Sequence, residues 1–308
     1  MVPIENLILI IADALRYDFC MNSNIPEILS PSHKFLCFAE GSHTVATVPS
    51  ILTGLPYEDI KKKELLSRSL QIGVQVTPLK IYSPTLFSIL EKFGYRTNYI
   101  NLDWNDSLLT GNQVSLFPTF PARGNLKDFL RQGIEKIGIV LHIFDVHSPY
   151  ATGKTAKEIK ILMMDLLRKK NLSEMRETYR NAIRHFEIEH LIPLMNLCED
   201  LDIRKNTLIV LVGDHGELLG EHGRLFHAGP MTPELKRVPL VFHHQSFPNK
   251  LHEKPTRQRD ILPTILKTLK IPVPAYSRRT YSLMIKAYGM ILQLYARAKW
   301  RLLSKVSI

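Results

Sequence analysis

The chain has 308 residues, and 45% of them are hydrophobic, which is enough for a large buried core. Lys and Arg number 40 against 29 Asp and Glu, giving a formal charge of +11, and no acidic residue follows Asp260. Three cysteines lie far apart in sequence, which excludes a disulfide framework and a cysteine zinc cluster and makes a reducing, cytoplasmic location the expectation. No apolar run reaches the ~18 residues of a membrane span, and no secretory leader is expected.

Strand patterns and helix patterns alternate along the chain. Uncharged runs rich in β-branched residues and leucine predict buried strands at 6–12, 97–101, 137–144, 207–212 and 238–242. Amphipathic or capped segments predict helices at 84–93, 155–170, 173–202 with a kink at Pro193, and 259–269. A polar stretch at 103–123 is predicted to be a surface loop. The alternation predicts an α/β fold, with a doubly wound, mostly parallel sheet flanked by helices over residues 1–275.

Metal-ligand residue types collect where the strand 207–212 ends. The chain breaks at Gly213 into Asp214 and His215, and His227 follows a dozen residues later. Open α/β sheets bind their ligands at the carboxyl ends of their strands. Carboxylate oxygen and imidazole nitrogen are the usual ligands of zinc other than sulfur. The sequence therefore predicts a divalent metal site here.

Two other strands end in similar residue types. Asp13 follows the first strand, and a metal shared with Asp214 would need these two strands to be neighbours. Taken alone, Asp13 also fits a helix N-cap. His147 lies just past the strand 137–144 and is predicted to belong to the site. His142 lies inside that strand and fits either a hydrogen-bonded core residue or a site residue.

Thr47 precedes a segment that predicts a helix starting near Pro49 and ending before Gly54. A hydroxyl at a helix N-terminus is well placed to meet an oxyanion or phosphate, although a plain N-cap is the alternative. Arg16, three residues after Asp13, is either a partner of that carboxylate or a surface cation.

These motifs, in this order, resemble the sulfatase and alkaline phosphatase superfamily from about Leu7 to Leu266. The segments that carry the resemblance are IIADALRYD, TVPSILTG, FDVHSPY, NTLIVLVGDHGELLGEHG, LFHAG, RVPLVF and RDILPTIL. The resemblance implies an alkaline-phosphatase-like sheet with one or two divalent metals at its strand ends. Zinc is the first expectation, with manganese, calcium and magnesium as alternatives. The first metal of the family would fall on Asp13, Thr47, Asp214 and His215.

Thr47 occupies the position at which sulfatases of this family carry the Cys or Ser that becomes formylglycine. Threonine is not a substrate for that conversion, and Ile51 replaces the family's Arg. The resemblance is therefore closer to the branches with a Thr nucleophile, the phosphodiesterases and phosphoethanolamine transferases. His142, His147 and His227 are similar to the metal-binding and substrate-binding histidines of those transferases.

The expected function is that of a metal-dependent phosphoester hydrolase or phosphotransferase. Thr47 would be the nucleophile, activated by the metal, because a hydroxyl is a weak nucleophile at neutral pH. His147 and His227 would be catalytic, with or without a second metal at His227, while His142, His147 and Arg16 would bind substrate. Sulfuric ester hydrolysis and non-catalytic anion binding are the alternatives.

The segment 276–308 is basic and is predicted to be helical, with apolar clusters between its Lys and Arg residues. It fits a peripheral contact with an anionic membrane, which would make a lipid head group a candidate substrate. A terminal helix packed on the domain or on a partner chain is the alternative. No sequence-specific nucleic-acid motif is present, so only non-specific phosphate binding is expected from the charge.

Overall fold

A seven-stranded sheet organises the structure, which is a computed structural model describing residues 3–62, 84–102, 106, 126–131, 136–227 and 229–276. The predicted loop 103–123, except Asp106, and the C-terminal segment after Tyr276 lie outside the described residues. The strands are β1 Asn6–Ala12, β2 Ser32–Phe38, β3 Tyr95–Leu102, β4 Lys136–Ile143, β5 Thr207–Gly213, β6 Leu218–Leu219, β7 Leu225–Phe226, β8 Arg237–His243 and β9 Lys250–Arg257.

Helices connect these strands and cover both faces of the sheet. They are α1 Tyr17–Cys20, α2 Ile25–Ile28, α3 Thr44–Thr53, α4 Tyr57–Lys62, α5 Leu86–Lys92, α6 Leu126–Arg131, α7 Ala156–Arg168, α8 Leu172–His185, α9 Ile192–Asp200, α10 Pro233–Lys236 and α11 Ile261–Thr268. A π-helix, Phe186–Leu191, joins α8 to α9, and short 3₁₀ turns occupy Arg204–Asn206, Glu221–Gly223 and Gln258–Asp260. Within the part of the chain that the structure describes, no helix has the length and apolar character to cross a bilayer.

The strand order is β3-β4-β1-β5-β8-β2-β9. β1 pairs in parallel with β4 on one side and β5 on the other, and β3 continues the parallel arrangement beyond β4. β8 is antiparallel to both of its neighbours, β5 and β2, whereas β2 and β9 are parallel. The predicted doubly wound, mostly parallel sheet is confirmed.

Alternate residues of β1 supply two separate cores. Ile8 and Ile10 pack against helices α7, α8 and α9 on one face. Leu7, Leu9 and Ile11 pack against α3, α5 and α11 on the other. A strand buried on both faces needs an unbroken apolar run, which is why NLILIIA was readable as a central parallel strand.

The sequence analysis missed two strands, β2 and β9, at one side of the sheet. β2 contains His33 and Lys34 within an otherwise apolar run, which hides its strand pattern. β9 is the edge strand, and most of its side chains are exposed. Its charged sequence, KLHEKPTR, is typical of edges that must not pair with another chain.

The predicted start of the helix around Pro49 was wrong. Helix α3 begins at Thr44, after an extended His43, and Pro49 lies inside it. The missing N–H of Pro49 removes only the hydrogen bond to the carbonyl four residues earlier, in the helix's first turn. The helix ends at Gly54, whose φ of 68° is left-handed, as predicted. Thr47 therefore lies inside the helix and does not precede it.

The long helix predicted at 173–202 contains a change of register. Helix α8 passes into the π-helix Phe186–Leu191 before α9 begins, and Pro193 stands in the first turn of α9. Pro193 offers no N–H to the turn before it, so the regular ladder cannot pass through this point unchanged.

Helix α8 also holds the loop that follows β1. The buried Tyr179 hydroxyl donates to the carbonyl of Ala14 at 2.6 Å and accepts from the backbone N–H of Arg16 at 2.9 Å. Ala14 has a positive φ of 61°, a conformation that costs energy for a residue with a Cβ. We infer that Tyr179 stabilises this loop against a more relaxed path.

We predict that Tyr179→Phe lowers the free energy of unfolding by about 1–3 kcal/mol, because two buried backbone groups lose their partner. Urea denaturation followed by circular dichroism measures the change. Tyr150→Phe is the matched control, since the Tyr150 side chain is equally buried and its hydroxyl makes no hydrogen bond within the described residues. Equal effects of the two substitutions would contradict the anchoring role of Tyr179.

Candidate active site at the strand ends

Three neighbouring strands bring the candidate metal ligands together. Asp13 follows β1, His142 is near the end of β4, and Asp214 and His215 follow β5. The register aligns Ala12 with Ile143 and with Gly213, so the three strands end at the same level of the sheet. The sharing of one site by Asp13 and Asp214, inferred from two separate motifs, follows from this register.

The donor atoms form a compact, dry cluster. One donor atom from each of Asp13, His142 and Asp214 lies within 4.8 Å of the others, and all three residues are buried. His142 Nε2 is 3.5 Å from Asp13 Oδ2, and His215 Nε2 is 3.5 Å from Asp13 Oδ1. His215 Nε2 is also 3.6 Å from Asp214 Oδ2.

Two of these buried atoms lack hydrogen-bond partners among the described residues, namely Asp13 Oδ1 and His142 Nε2. Buried polar atoms are nearly always satisfied, so unpartnered ligand atoms that converge on one point fit a cation-binding site. The oxygen and nitrogen donors suit a divalent metal. The chemistry of these residues therefore fits the divalent metal that the family resemblance implies.

Outer hydrogen bonds orient both imidazoles. His215 Nδ1 donates to the carbonyl of Gly216 at 2.9 Å, which leaves Nε2 with its lone pair toward the carboxylates. Tyr99 Oη lies 2.7 Å from His142 Nδ1. A metal at His142 Nε2 requires the proton on Nδ1, and this N–H can then donate a hydrogen bond to the Tyr99 oxygen. Sequence reasoning did not find Tyr99, because nothing in the run YRTNYINL distinguishes it from a core tyrosine.

The charges of the cluster are strongly coupled. Burial opposes ionisation of Asp13, but His147, His142 and His215 outweigh it and hold the pKa of Asp13 well below its usual range. Burial alone would lower the pKa of His215, yet the carboxylates of Asp214 and Asp13 raise it above its ordinary value. The Asp13 carboxylate therefore stays ionised and attracts a positive group.

Tight glycine turns place Asp214 and His215. A Cβ on Gly213 would stand 2.4 Å from the carbonyl oxygen of Leu15, and a Cβ on Gly216 only 1.8 Å from that of Glu234. Asp214 Oδ1 then accepts from the N–H groups of Ala14 at 3.0 Å and His215 at 2.7 Å. The turn is thus locked to the loop after β1.

Thr47 lies beside this cluster, in the first part of α3. Its Oγ1 is 3.4 Å from Asp214 Oδ2. The same hydroxyl is within hydrogen-bonding distance of the carbonyls of His43 and Thr44, each at 3.3 Å, to which it can donate. Thr44 Oγ1 donates to Asp13 Oδ2 at 3.0 Å. The first turn of α3 therefore contacts both candidate carboxylates through hydroxyl groups.

A row of histidine rings extends from the cluster toward solvent. The centroids of His215 and His227 are 4.6 Å apart, and those of His227 and His147 are 5.0 Å apart. His147 Nδ1 donates to the carbonyl of Ser148 at 2.7 Å, which leaves its Nε2 free of the proton in the neutral ring. The structure thus brings together the three histidines from three separate motifs.

Glu217 is a site residue for which sequence reasoning assigned no role. Its carboxylate is buried, neither oxygen has a hydrogen-bond partner among the described residues, and Oε2 is 3.5 Å from His227 Nδ1. A buried carboxylate of this kind requires a nearby positive charge. Its position directly after Gly216 in GDHGE was the available signal.

Arg16, predicted to bind substrate or support Asp13, is held in ion pairs. Its Nη2 is 2.7 Å from Asp18 Oδ2, its Nη1 is 2.7 Å from Glu221 Oε1, and it is 5% exposed. These carboxylates outweigh the cost of burial and raise the pKa of the guanidinium. Its contacts tie the loop after β1 to the segment after β5, and a direct role with substrate stays a prediction.

Gln258 hydrogen-bonds to the backbone that carries Asp214, and sequence reasoning did not find it. Its buried side-chain amide donates to the carbonyls of Gly213, at 3.0 Å, and Asp214, and it accepts from the N–H of Glu40 at 2.9 Å. A single polar residue before a predicted helix carries no signal of such a role.

Comparison with known proteins agrees with this architecture. The sulfatase family model matches residues 124–271. The low-salt glycan biosynthesis sulfotransferase Agl7 of Haloferax volcanii is 26% identical over 256 residues, which cover 79% of this chain and 55% of that protein. The resemblance to sulfatases that the sequence motifs predicted is thus confirmed over residues 124–271. This chain spans about half the length of Agl7.

Solved structures share the fold of this chain. The phosphonate monoester hydrolase of Agrobacterium radiobacter gives a TM-score of 0.65 at 15% identity, covering 87% of this chain and 74% of that one. The C-terminal periplasmic domain of phosphoethanolamine transferase EptC from Campylobacter jejuni gives 0.59 at 16% identity, covering 90% and 92%. At these identities the likeness establishes the fold alone.

We predict that Tyr99→Phe weakens divalent metal binding by about 10–100-fold, because His142 loses the hydrogen bond that orients its ring. Titration of the metal-stripped protein against a competing chelator measures the affinity. Tyr95→Phe, at the start of the same strand and away from the cluster, is the matched control and should bind metal as the wild type does. Unchanged affinity in Tyr99→Phe would remove His142 from the ligand set.

Proposed function

We propose that this chain is a metal-dependent phosphoester hydrolase or phosphotransferase with Thr47 as its nucleophile. The observation that carries the proposal is the 3.4 Å approach of the Thr47 hydroxyl to Asp214 Oδ2, beside a buried group of metal-ligand donors. A threonine at this position favours phosphoryl transfer over the formylglycine chemistry of sulfatases.

Asp13, Asp214, His215 and the Thr47 oxygen would hold the metal, with His142 Nε2 as a further donor that the sequence analysis assigned to substrate. Zinc suits this mixture of carboxylate and imidazole ligands. When bound, the metal would lower the pKa of the Thr47 hydroxyl and withdraw charge from the reacting ester.

Thr47 Oγ1 attacks phosphorus, and the bond from phosphorus to the leaving alcohol breaks on the opposite side. The hydroxyl proton passes to Asp214 Oδ2, which lies 3.4 Å from Thr47 Oγ1. The phosphoryl group is then carried on Thr47 until a second nucleophile displaces it. Burial of the cluster excludes bulk water from the Thr47 oxygen and strengthens these charge interactions.

His147 and His227 stand where the leaving and entering groups must pass, because they continue the row of rings outward from His215. One protonated imidazole donates to the departing oxygen, and the same ring accepts the proton of the entering nucleophile in the second step. Glu217, 3.5 Å from His227, stabilises that ring when it is protonated. Water as the acceptor gives a hydrolase, and an alcohol gives a transferase.

Sulfuryl transfer is the second candidate, and one observation favours it. The relative that aligns with 79% of this chain is named a sulfotransferase. Phosphoryl and sulfuryl groups are both tetrahedral centres with anionic oxygens, so the same ligand set can accept either. The charge of the reacting group then decides the preference, since a phosphate monoester carries one more negative charge than a sulfate ester.

We predict that the metal-loaded chain cleaves p-nitrophenyl phosphate or bis-p-nitrophenyl phosphate and that Thr47→Ala lowers kcat at least about a thousandfold, because it removes the nucleophile. Thr47→Ser should retain part of the activity. A chelator should abolish turnover, and added zinc should restore it. Release of p-nitrophenol measures each rate.

Thr53→Ala is the matched control, since Thr53 is a buried threonine of the same helix whose hydroxyl bonds back to Pro49. It should leave the rate unchanged. Turnover of p-nitrophenyl sulfate alone would transfer the proposal to sulfuryl chemistry. Metal-dependent turnover that survives Thr47→Ala would refute the nucleophile, and no bound metal with no turnover would favour a non-catalytic anion-binding protein.

A further inference from the structure

A second cluster of metal-ligand side chains lies on the helical side of β4, outside the candidate active site. It consists of Asp145, His185 and His190, which we name the Asp145 cluster. His185 Nδ1 is 2.6 Å from Asp145 Oδ2, and His190 Nε2 is 3.1 Å from Asp145 Oδ1. Asp145 and His190 are fully buried, whereas the His185 side chain is 32% exposed.

The π-helix creates this cluster. His185 and His190 are five residues apart, and in an α-helix such residues point about 140° away from each other. The wider i→i+5 spacing of Phe186–Leu191 turns them toward the same side, where both reach Asp145. A π-helical segment interrupts the regular hydrogen-bond ladder, and such segments frequently stand at functional sites.

We propose that the Asp145 cluster is a separate binding site for a divalent transition metal, with zinc as the first candidate. Two imidazoles and one carboxylate are a set of ligands that zinc takes in proteins. One donor atom from each residue lies within 4.8 Å of the other two. Donors on one tetrahedral zinc are about 3.3 Å apart, given bond lengths of ~2.0 Å. No pair of these donor atoms therefore has to move by more than about 1.5 Å to reach that spacing.

Solvent reaches the cluster on one side only. The partly exposed His185 provides the route by which a metal enters, and water from that side can complete the coordination. The buried side is closed by Asp145 and His190, so removal of the metal would leave a carboxylate and an imidazole paired in a dry interior.

This site has a consequence for the active-site loop. Asp145 stands two residues before His147, and the loop between them follows directly from β4. A metal bound to Asp145 would fasten that loop to the π-helix and restrict the position of the His147 ring. The inference does not rest on the proposed phosphoryl transfer, because it uses none of the residues assigned to that reaction.

Zinc stoichiometry of the full chain tests the site. Metal-stripped wild type, His185→Asn and His222→Asn are titrated with zinc in the presence of a chromogenic chelator. His222 is the matched control, because its Nε2 pairs with Glu234 at 3.2 Å on the surface without a third ligand. We expect His185→Asn to bind about one zinc fewer per chain than wild type and His222→Asn to bind as many.

A second variant keeps the result independent of the folding of His185→Asn. Asp214→Asn removes a ligand of the candidate catalytic metal and should lose turnover. It should still retain zinc at the Asp145 cluster, so zinc content and turnover report on the two sites separately. Cobalt substitution of Asp214→Asn should then give a visible d–d absorption band that disappears in Asp214→Asn, His185→Asn. Equal zinc content in wild type and His185→Asn, or no zinc in Asp214→Asn, would reduce the cluster to a hydrogen-bonded contact.

Discussion

The two buried carboxylates at the ends of β1 and β5 are the constraint on which the site depends. Asp13 and Asp214 are 1% and 0% exposed, and ionised groups at that depth are stable only beside positive charge or strong donors. The backbone N–H groups of Ala14 and His215 and the Thr44 hydroxyl satisfy part of this need. Among the described residues, the Thr47 hydroxyl and imidazole nitrogens of His142 and His215 also face the carboxylates. A divalent cation bound between these groups would balance the remaining negative charge of the two carboxylates.

The rest of the fold serves to hold these strand ends at one level. Parallel pairing of β1 with both β4 and β5 sets the register, and the two apolar cores keep the strand straight and dry. Tyr179 and Gln258 then fix the backbone on either side of the cluster through hydrogen bonds to main-chain groups. The geometry of the site therefore depends on residues that are not themselves candidate metal ligands.

The central strands and the positions of Asp13, Asp214 and His215 were predictable, because a strand buried on both faces has an unbroken apolar sequence and its end is marked by polar residues. β2 and β9 were missed since their strand patterns are interrupted by charge. The true start of α3 was missed because Pro49 was interpreted as a first-turn proline. The end of the helix at Gly54 was predicted, and Thr47 lies close to Asp214 as the sequence motifs implied. Tyr99, Glu217 and Gln258 become site residues only through contacts between distant segments, which no local pattern records.

The relatives and fold neighbours of this chain include proteins named for sulfuryl and for phosphoryl chemistry. The proposal for this chain therefore depends on whether Thr47 becomes phosphorylated during turnover. The most direct measurement is rapid-quench mass spectrometry of the metal-loaded chain during turnover of p-nitrophenyl phosphate. The account predicts a phosphoryl group on the peptide that contains Thr47, accumulating before steady state and absent after chelation. Turnover that proceeds with Thr47 unmodified throughout, or with the group on another residue, would contradict it.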